Sequence, residues 1–239
     1  MGGAPAEKAS RLVHPGEPLL LQGPAPRFVS RGGDKLDAAL DRFAIDVSGK
    51  LALDAGASTG GFTDCLLQRG AASVVAVDAG HDQLHERLQG HPRVRRLDRT
   101  NIRHLTLAGA GGMPFDVLVA DLSFISLRTV APVLAEELPG RGADLVVLVK
   151  PQFEAGRAVA SAGRGVVRDQ GVWANALESV ASAFSAHGAA MMDLMVSPLT
   201  GADGNVEFLA HLRAHCSAGT RPDIAAAVTE AASRYSVGA

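Results

Sequence analysis

Lys50-Leu51-Ala52-Leu53-Asp54-Ala55-Gly56-Ala57-Ser58-Thr59-Gly60-Gly61 decides the fold. Residues 50–53 read as a short buried strand. The chain then breaks at Asp54 into a loop with glycines at 56, 60 and 61, and residues 62–69 read as a helix ended by Gly70. Strand, glycine-rich turn and helix in that order open a parallel α/β sheet. Downstream, residues 73–77, 94–97, 115–120 and 144–149 read as strands, and 83–88, 127–138 and 173–187 as helices. Upstream, Leu36, Ala39, Leu40 and Phe43 recur at helical spacing, so a helix is expected from Asp34. Residues 190–196 and 206–212 are late strands, and 222–234 a final amphipathic helix. Five short strands alternating with helices predict a mainly parallel α/β sheet covered on both faces.

Composition narrows the field. A chain of 239 residues, 47% apolar and 20% charged, suits one domain with a sizeable core. The 23 Lys+Arg against 25 Asp+Glu leave a formal charge of −2, which does not suggest a globally basic nucleic-acid binder. Eight Phe, one Trp and one Tyr argue against a broad aromatic platform for single strands. Cys65 and Cys216 cannot by themselves build a disulfide scaffold or a zinc knuckle. No apolar run reaches the roughly 18 residues of a membrane span, and no secretory signal opens the chain. A cytoplasmic protein with no membrane partner is the expectation. Residues 1–29 read differently from the rest: a turn at 14–18, a short strand at 19–22 and a Gly/Pro linker at 23–26. They form an appendage too small for its own core, leaving 30–239 as the main domain.

In open α/β sheets ligands bind outside the carboxyl ends of the strands. Here those ends carry Asp54, Asp78, Asp98, Asp121 and Lys150. The loop after the first strand matches neither G-x-G-x-x-G nor a P-loop, and its leading Asp54 would repel phosphate. An acidic glycine-rich loop with Asp78 about 20 positions on, placed for ribose hydroxyls, fits S-adenosylmethionine. Lys150 beside a carboxylate is a candidate general base. Lys35 sits in the first turn of a helix, where the dipole does not favour a cation, which points to a role beyond the helix. Glu207 alternates with Val206 and Phe208 at the head of a late strand; taken alone it reads as an exposed carboxylate.

Five motifs then occur in order: Phe28-Val29-Ser30-Arg31-Gly32-Gly33-Asp34-Lys35-Leu36, Leu53 through Thr63, Asp121-Leu122-Ser123-Phe124-Ile125-Ser126, Leu148-Val149-Lys150-Pro151-Gln152-Phe153-Glu154, and Gly204-Asn205-Val206-Glu207. Together they resemble the haemolysin-A-like (TlyA) family of ribosomal RNA 2′-O-methyltransferases, whose catalytic domain is like the heat-shock RNA methyltransferase FtsJ. The resemblance covers roughly residues 27–213. It implies a Rossmann-like class I S-adenosylmethionine-dependent methyltransferase acting on ribosomal RNA or a ribosomal subunit, at a cytidine ribose. It also implies a catalytic set of Lys35, Asp121, Lys150 and Glu207, with Lys150 deprotonating the 2′-hydroxyl. Donor binding would fall to Asp54, Gly56, Ser58, Gly60, Gly61, Phe62 and Thr63, to Asp78 for the ribose, to Asp98, Arg99, Thr100 and Asn101 near the adenine, and to Asp121. No metal is implied.

The family usually begins with an S4-like RNA-binding module of about 60 residues, and fewer than 30 residues precede the Ser30-Arg31-Gly32-Gly33 motif here. Most of that module is therefore expected to be missing. Arginines gather instead at 27 and 31 beside Lys35, at 93, 95, 96, 99 and 103, and at 157, 164 and 168 in a long loop after Lys150. That loop is the better candidate for a binding loop or lid. The histidine pairs 81/85 and 211/215 have metal-ligand spacing on a helix, but surface or packing roles are favoured, and Trp173 is read as core. Two other functions compete: the same fold acting on a small-molecule substrate by O-methylation or donor-assisted cyclisation, and a membrane-active protein. Nothing in the sequence resembles a spanning or cationic amphipathic segment, which disfavours the last.

Overall fold

A computed structural model describes residues 12–14, 16–17, 26–156, 165–216 and 222–235. The expected strand at 19–22, most of the linker, and Arg157 and Arg164 lie outside the described residues.

Seven strands make one sheet. In chain order they are β1 (Leu51–Ala55), β2 (Ser73–Val77), β3 (Val94–Leu97), β4 (Phe115–Ala120), β5 (Pro139–Val149), β6 (Ala190–Val196) and β7 (Phe208–Arg213). Their spatial order is β3-β2-β1-β4-β5-β7-β6. The first five run parallel, and β7 inserts antiparallel between β5 and β6. Order reverses between β1 and β4, so a crevice opens there at the carboxyl edge. Because β7 runs backwards, its first residues also lie on that edge, which brings Glu207 to Lys150.

Helices cover both faces. On one, α1 (Gly32–Arg42) and α2 (Gly61–Gln68) bury Leu36, Leu40, Phe62 and Leu66. On the other, α4 (Leu127–Pro132), α6 (Gln170–Ala186) and α7 (Ile224–Tyr235) pack Leu127, Trp173, Phe184 and Ala231 around Phe208 and Leu118. Two one-turn helices, α3 (Leu107–Ala110) and α5 (Pro151–Glu154), also lie among the described residues. Trp173 is core as expected: it donates to Val167 O at 3.0 Å and meets Phe208 edge-on.

Four expectations need correction. Residues 83–88 form turns, not a helix. Leu84 and Leu88 are buried over Gly60, where an added Cβ would stand 2.2 Å from Leu88 Cδ1. The burial that a helical pattern promised is met by turns, and so short a segment cannot sustain a helix without partners. Helix 127–138 changes character at Pro132, where the missing N–H breaks the regular ladder, and Val133–Glu137 after it is π-helical. Strand β5 starts at Pro139 rather than 144, because the chain bulges between the Phe115↔Pro139 and Val117↔Asp144 pairs. The histidine pairs share no helix: His81 lies in a bend and His211 on β7. Among the described residues, no three His, Cys, Asp or Glu side chains gather to hold a metal, and no helix is long and apolar enough to cross a membrane.

Candidate active site

Two ion pairs stand at the crevice, one buried and one half-buried. Lys150, the residue after β5, places Nζ 2.6 Å from Asp121 Oδ1, the residue after β4. That contact is electrostatic; Asp121 Oδ1 has no hydrogen-bond donor although it is shielded from water. Lys150 Nζ also donates to Ser123 Oγ at 2.9 Å. Lys35, in the first turn of α1, donates to Glu207 Oε2 at 2.5 Å. Glu207 is 3% exposed, so the exposed carboxylate read from strand alternation is corrected: β7 starts inside the crevice, and Lys35 neutralises it.

Beside Asp121 and Ser123, the partners of Lys150, lies a cavity of 630 Å³ walled also by Gly56, Ser58, Asp78, Thr100, Asn101 and Phe124, among others. Gly56 has φ +86°, and a Cβ there would stand 2.5 Å from Asp121 O, so only glycine lets the loop lie against β4. Asp78 clamps the loop: its carboxylate accepts Ser58 N–H at 2.8 Å and Gly80 N–H at 2.7 Å. Asp54 is completely buried behind the loop, accepts from Thr63 Oγ1 at 2.6 Å, and leaves Oδ1 without a partner. Burial pushes its carboxyl up to about 7 against the Thr63 hydrogen bond, with Asp121 and Asp78 adding to the rise. Gly60 and Gly61 start α2, where Gly61 comes so close to Ser30 that a Cβ would clash at 2.2 Å. Phe62 reaches the loop through a smaller 380 Å³ cavity that it shares with Arg31, Lys35, Ser58 and Lys150.

Asp98 and Arg99 are not in these cavity walls. Asp98 turns to the neighbouring bend, accepting Asp82 N–H at 2.8 Å and pairing with His81 at 3.0 Å. Those partners, the backbone donor first, hold its carboxyl below the usual range. Arg99 takes a left-handed φ of +49° and donates its N–H to Gly80 O. The donor set around the 630 Å³ cavity is thus acidic and rich in backbone amides. Such a set fits a cation carrying a ribose diol and would repel phosphate, so the residues present fit S-adenosylmethionine.

Lys150 itself lines a larger cavity, 770 Å³, walled also by Lys35, Ser123, Phe124, Gln152, Phe153, Asp203, Asn205 and Glu207, among others. Phe124 stands on its rim, 92% exposed, and its ring lies 5.3 Å from that of Phe153. Its φ is +65°, a conformation costing a non-glycine residue about 1–3 kcal/mol. Glu154 holds that strained loop, accepting Ser126 Oγ–H at 2.5 Å and Leu127 N–H at 2.7 Å. Asn205 ties the segment after the long loop to the Glu207 turn: Oδ1 accepts Val167 N–H and Nδ2 donates to Gly165 O. Ser123, Phe124, Glu154 and Asn205 received no role from the sequence, although they lie inside the quoted motifs. Their positions relative to the strand ends were the available signal.

The comparisons with known proteins agree with this geometry. The model of the FtsJ-like methyltransferase family matches residues 28–214. The chain belongs to the FtsJ-like methyltransferase family. It is 48% identical over 212 residues, 88% of this chain and 78% of the other, to the "16S/23S rRNA (cytidine-2'-O)-methyltransferase TlyA" of Mycobacterium tuberculosis (strain CDC 1551 / Oshkosh). It is 47% identical over 220 residues, 89% of this chain and 77% of the other, to YqxC of Bacillus subtilis (strain 168), provisionally named an rRNA methyltransferase. A solved Streptococcus thermophilus structure, provisionally named a hemolysin, superposes with a TM-score of 0.84 at 39% identity, covering 90% of this chain and 78% of that one. As an FtsJ-like enzyme, the protein is a methyltransferase with the class I fold, and its methyl donor is S-adenosylmethionine.

Proposed function

We propose that this FtsJ-like enzyme methylates a ribose 2′-hydroxyl of ribosomal RNA, that of a cytidine, in the cytoplasm, with 30–239 as its catalytic domain and 1–29 as an appendage. The substrate named for the TlyA relative supports the reading. The observation that carries it is Lys150, which lines the cavity with the exposed aromatic rim and is ion-paired to Asp121, a wall of the acidic donor-sized cavity.

When bound, S-adenosylmethionine supplies an electrophilic methyl: the ribose oxygen bonds to its carbon as the carbon–sulfur bond breaks and the electron pair goes to sulfur. Lys150 in its neutral form takes the hydroxyl proton onto Nζ, ending as an ammonium beside Asp121. Asp121 orients that amine and stabilises the ammonium. The Lys35–Glu207 pair lines the acceptor cavity and positions the ribose. Asp78 takes the donor's ribose hydroxyls, with Gly56, Ser58, Thr100 and Asn101 beside it. Gly60, Gly61, Phe62 and Thr63, with Asp54, hold the loop from behind, and Asp98 and Arg99 brace the bend that follows Asp78. Phe124 offers a face on which an unstacked base can lie.

The test is methyl transfer from labelled donor to ribosomal subunits. The expected result is label on a cytidine 2′-oxygen. Donor binding without transfer to either subunit, or transfer only to small-molecule hydroxyls, overturns the RNA reading.

A further inference from the structure

We propose that Ser123 is a positioning residue for methyl transfer: its hydroxyl oxygen accepts an N–H of Lys150 and fixes the amine's rotation beside Asp121, leaving the lone pair of the neutral amine for the acceptor hydroxyl. The inference rests on the reading of Lys150 as base. A neutral primary amine has two N–H bonds and one lone pair, and rotation about Cε–Nζ decides where each points. Two oxygens from one loop stand at Nζ, Asp121 Oδ1 at 2.6 Å and Ser123 Oγ at 2.9 Å. The other carboxylate of the acceptor cavity, Glu207, is engaged by Lys35 and does not compete for this amine. With one N–H bond held by Ser123 and the Asp121 carboxylate standing against the amine, rotation about Cε–Nζ is restricted and the lone pair is left for a hydroxyl brought in by substrate.

The loop is built to keep that oxygen in place. Phe124, next in the chain, is left-handed at φ +65°. Three residues further, Ser126 and Leu127 are both bonded to Glu154, four positions after Lys150. The base and its second acceptor are thereby joined through one short clamp. Ser123 also borders both larger cavities, as a residue steering an atom between donor and acceptor must. Its own side chain is exposed, so its replacement removes an acceptor without opening the core.

The experiment compares wild type, Ser123→Ala, Ser123→Thr, Lys150→Ala and the Ser123→Ala/Lys150→Ala double variant. Single-turnover methylation of ribosomal subunits is read at saturating S-adenosylmethionine. Donor Kd and subunit half-saturation are measured in parallel and certify that each variant retains its site. Ser123→Ala should slow transfer at least about tenfold, within the roughly 10²–10⁴-fold a general base supplies. Donor Kd and half-saturation should stay within about twofold of wild type. Ser123→Thr, which keeps the hydroxyl, should recover most of the rate, and the double variant should be no slower than Lys150→Ala. A wild-type rate in Ser123→Ala, a loss carried by donor Kd or half-saturation, or a double variant slower than Lys150→Ala overturns the proposal. A wild-type rate in Lys150→Ala instead overturns the base assignment itself, a separate and distinguishable failure.

Discussion

Strands β5 and β7 carry a charged cluster at each end, and the two clusters are built differently. At the far edge, Asp144 of β5 is surrounded by nitrogen partners: His211 at 3.0 Å and Arg213 at 2.9 Å, both on β7, and Lys50 at 3.4 Å. Burial alone would raise Asp144, but the hydrogen bonds and charges of His211 and Arg213 outweigh it and bring it down to about 2. At the crevice edge, the same strands lead into Lys150 and Glu207, and the pairs there face cavities of 770 and 630 Å³. One acceptor of that cluster, Asp121 Oδ1, keeps no hydrogen-bond donor. The first cluster surrounds its carboxylate with donors and stabilises the sheet; the second faces cavities and leaves an acceptor for a reaction. Asp54, one strand from β4, shows the same rule with the opposite sign: buried with a hydroxyl and no cation, it rises to about 7.

Variants should separate the two ends. The largest effect belongs to Lys150→Ala, which is expected to lower single-turnover methyl transfer by about 10²–10⁴-fold while leaving donor Kd within about twofold. Asp144→Ala should do the reverse. It leaves His211 and Arg213 around an absent anion and should cost about 3 kcal/mol in urea unfolding, with the activity of the folded fraction kept. Because Asp144 is depressed, its stabilisation is present above the ordinary carboxylate range and is lost as pH falls from about 4 through about 2. An acid titration of wild type should lose about 2 kcal/mol over that window, and Asp144→Asn should flatten it. Phe124→Ala should raise half-saturation for RNA about tenfold, the value of one stacked base, with little change in donor Kd. The smallest effect is expected at Asp54→Asn. A raised carboxyl binds its proton more tightly folded than unfolded, so wild type loses stability as pH rises from about 4 through about 7. The loss should be about 1 kcal/mol between pH 6 and 7, and the amide variant, which can still accept from Thr63, should not show it.

Much of this was legible in the chain. The strands at Ser73–Val77, Val94–Leu97, Phe115–Ala120 and Ala190–Val196 lie where alternation and β-branching placed them. The polar residues after β2, β4 and β5, Asp78, Asp121 and Lys150, line the crevice because a buried strand must end where its side chains can meet water or a ligand. Residues 83–88 misled because Leu84 and Leu88 have helical spacing, yet the surface they bury against is Gly60, more than 20 residues earlier, which a local pattern does not report. Glu207 misled for a related reason. Alternation gives its side relative to Val206 and Phe208, but only the antiparallel insertion of β7 brings it to Lys35, 172 positions away in the chain. The roles of Ser123 and Glu154 were hidden in the same way. Both lie in recognisable motifs, but their partners come from another loop.

Sequence by itself determined the alternation of strand and helix, the glycine-rich acidic loop after β1 and the order of the motifs that mark the family. Those depend on local periodicity, backbone freedom at glycine and residue chemistry, all of which are written along the chain. Tertiary structure alone decided which charges are neutralised and which face a cavity. Asp144 and Asp121 look alike in sequence; one meets His211, Arg213 and Lys50, the other a single lysine and a hydroxyl-bearing loop. The reason is physical: the free energy of a charge is set by desolvation and by the partners within a few ångströms, and strand order brings those partners together.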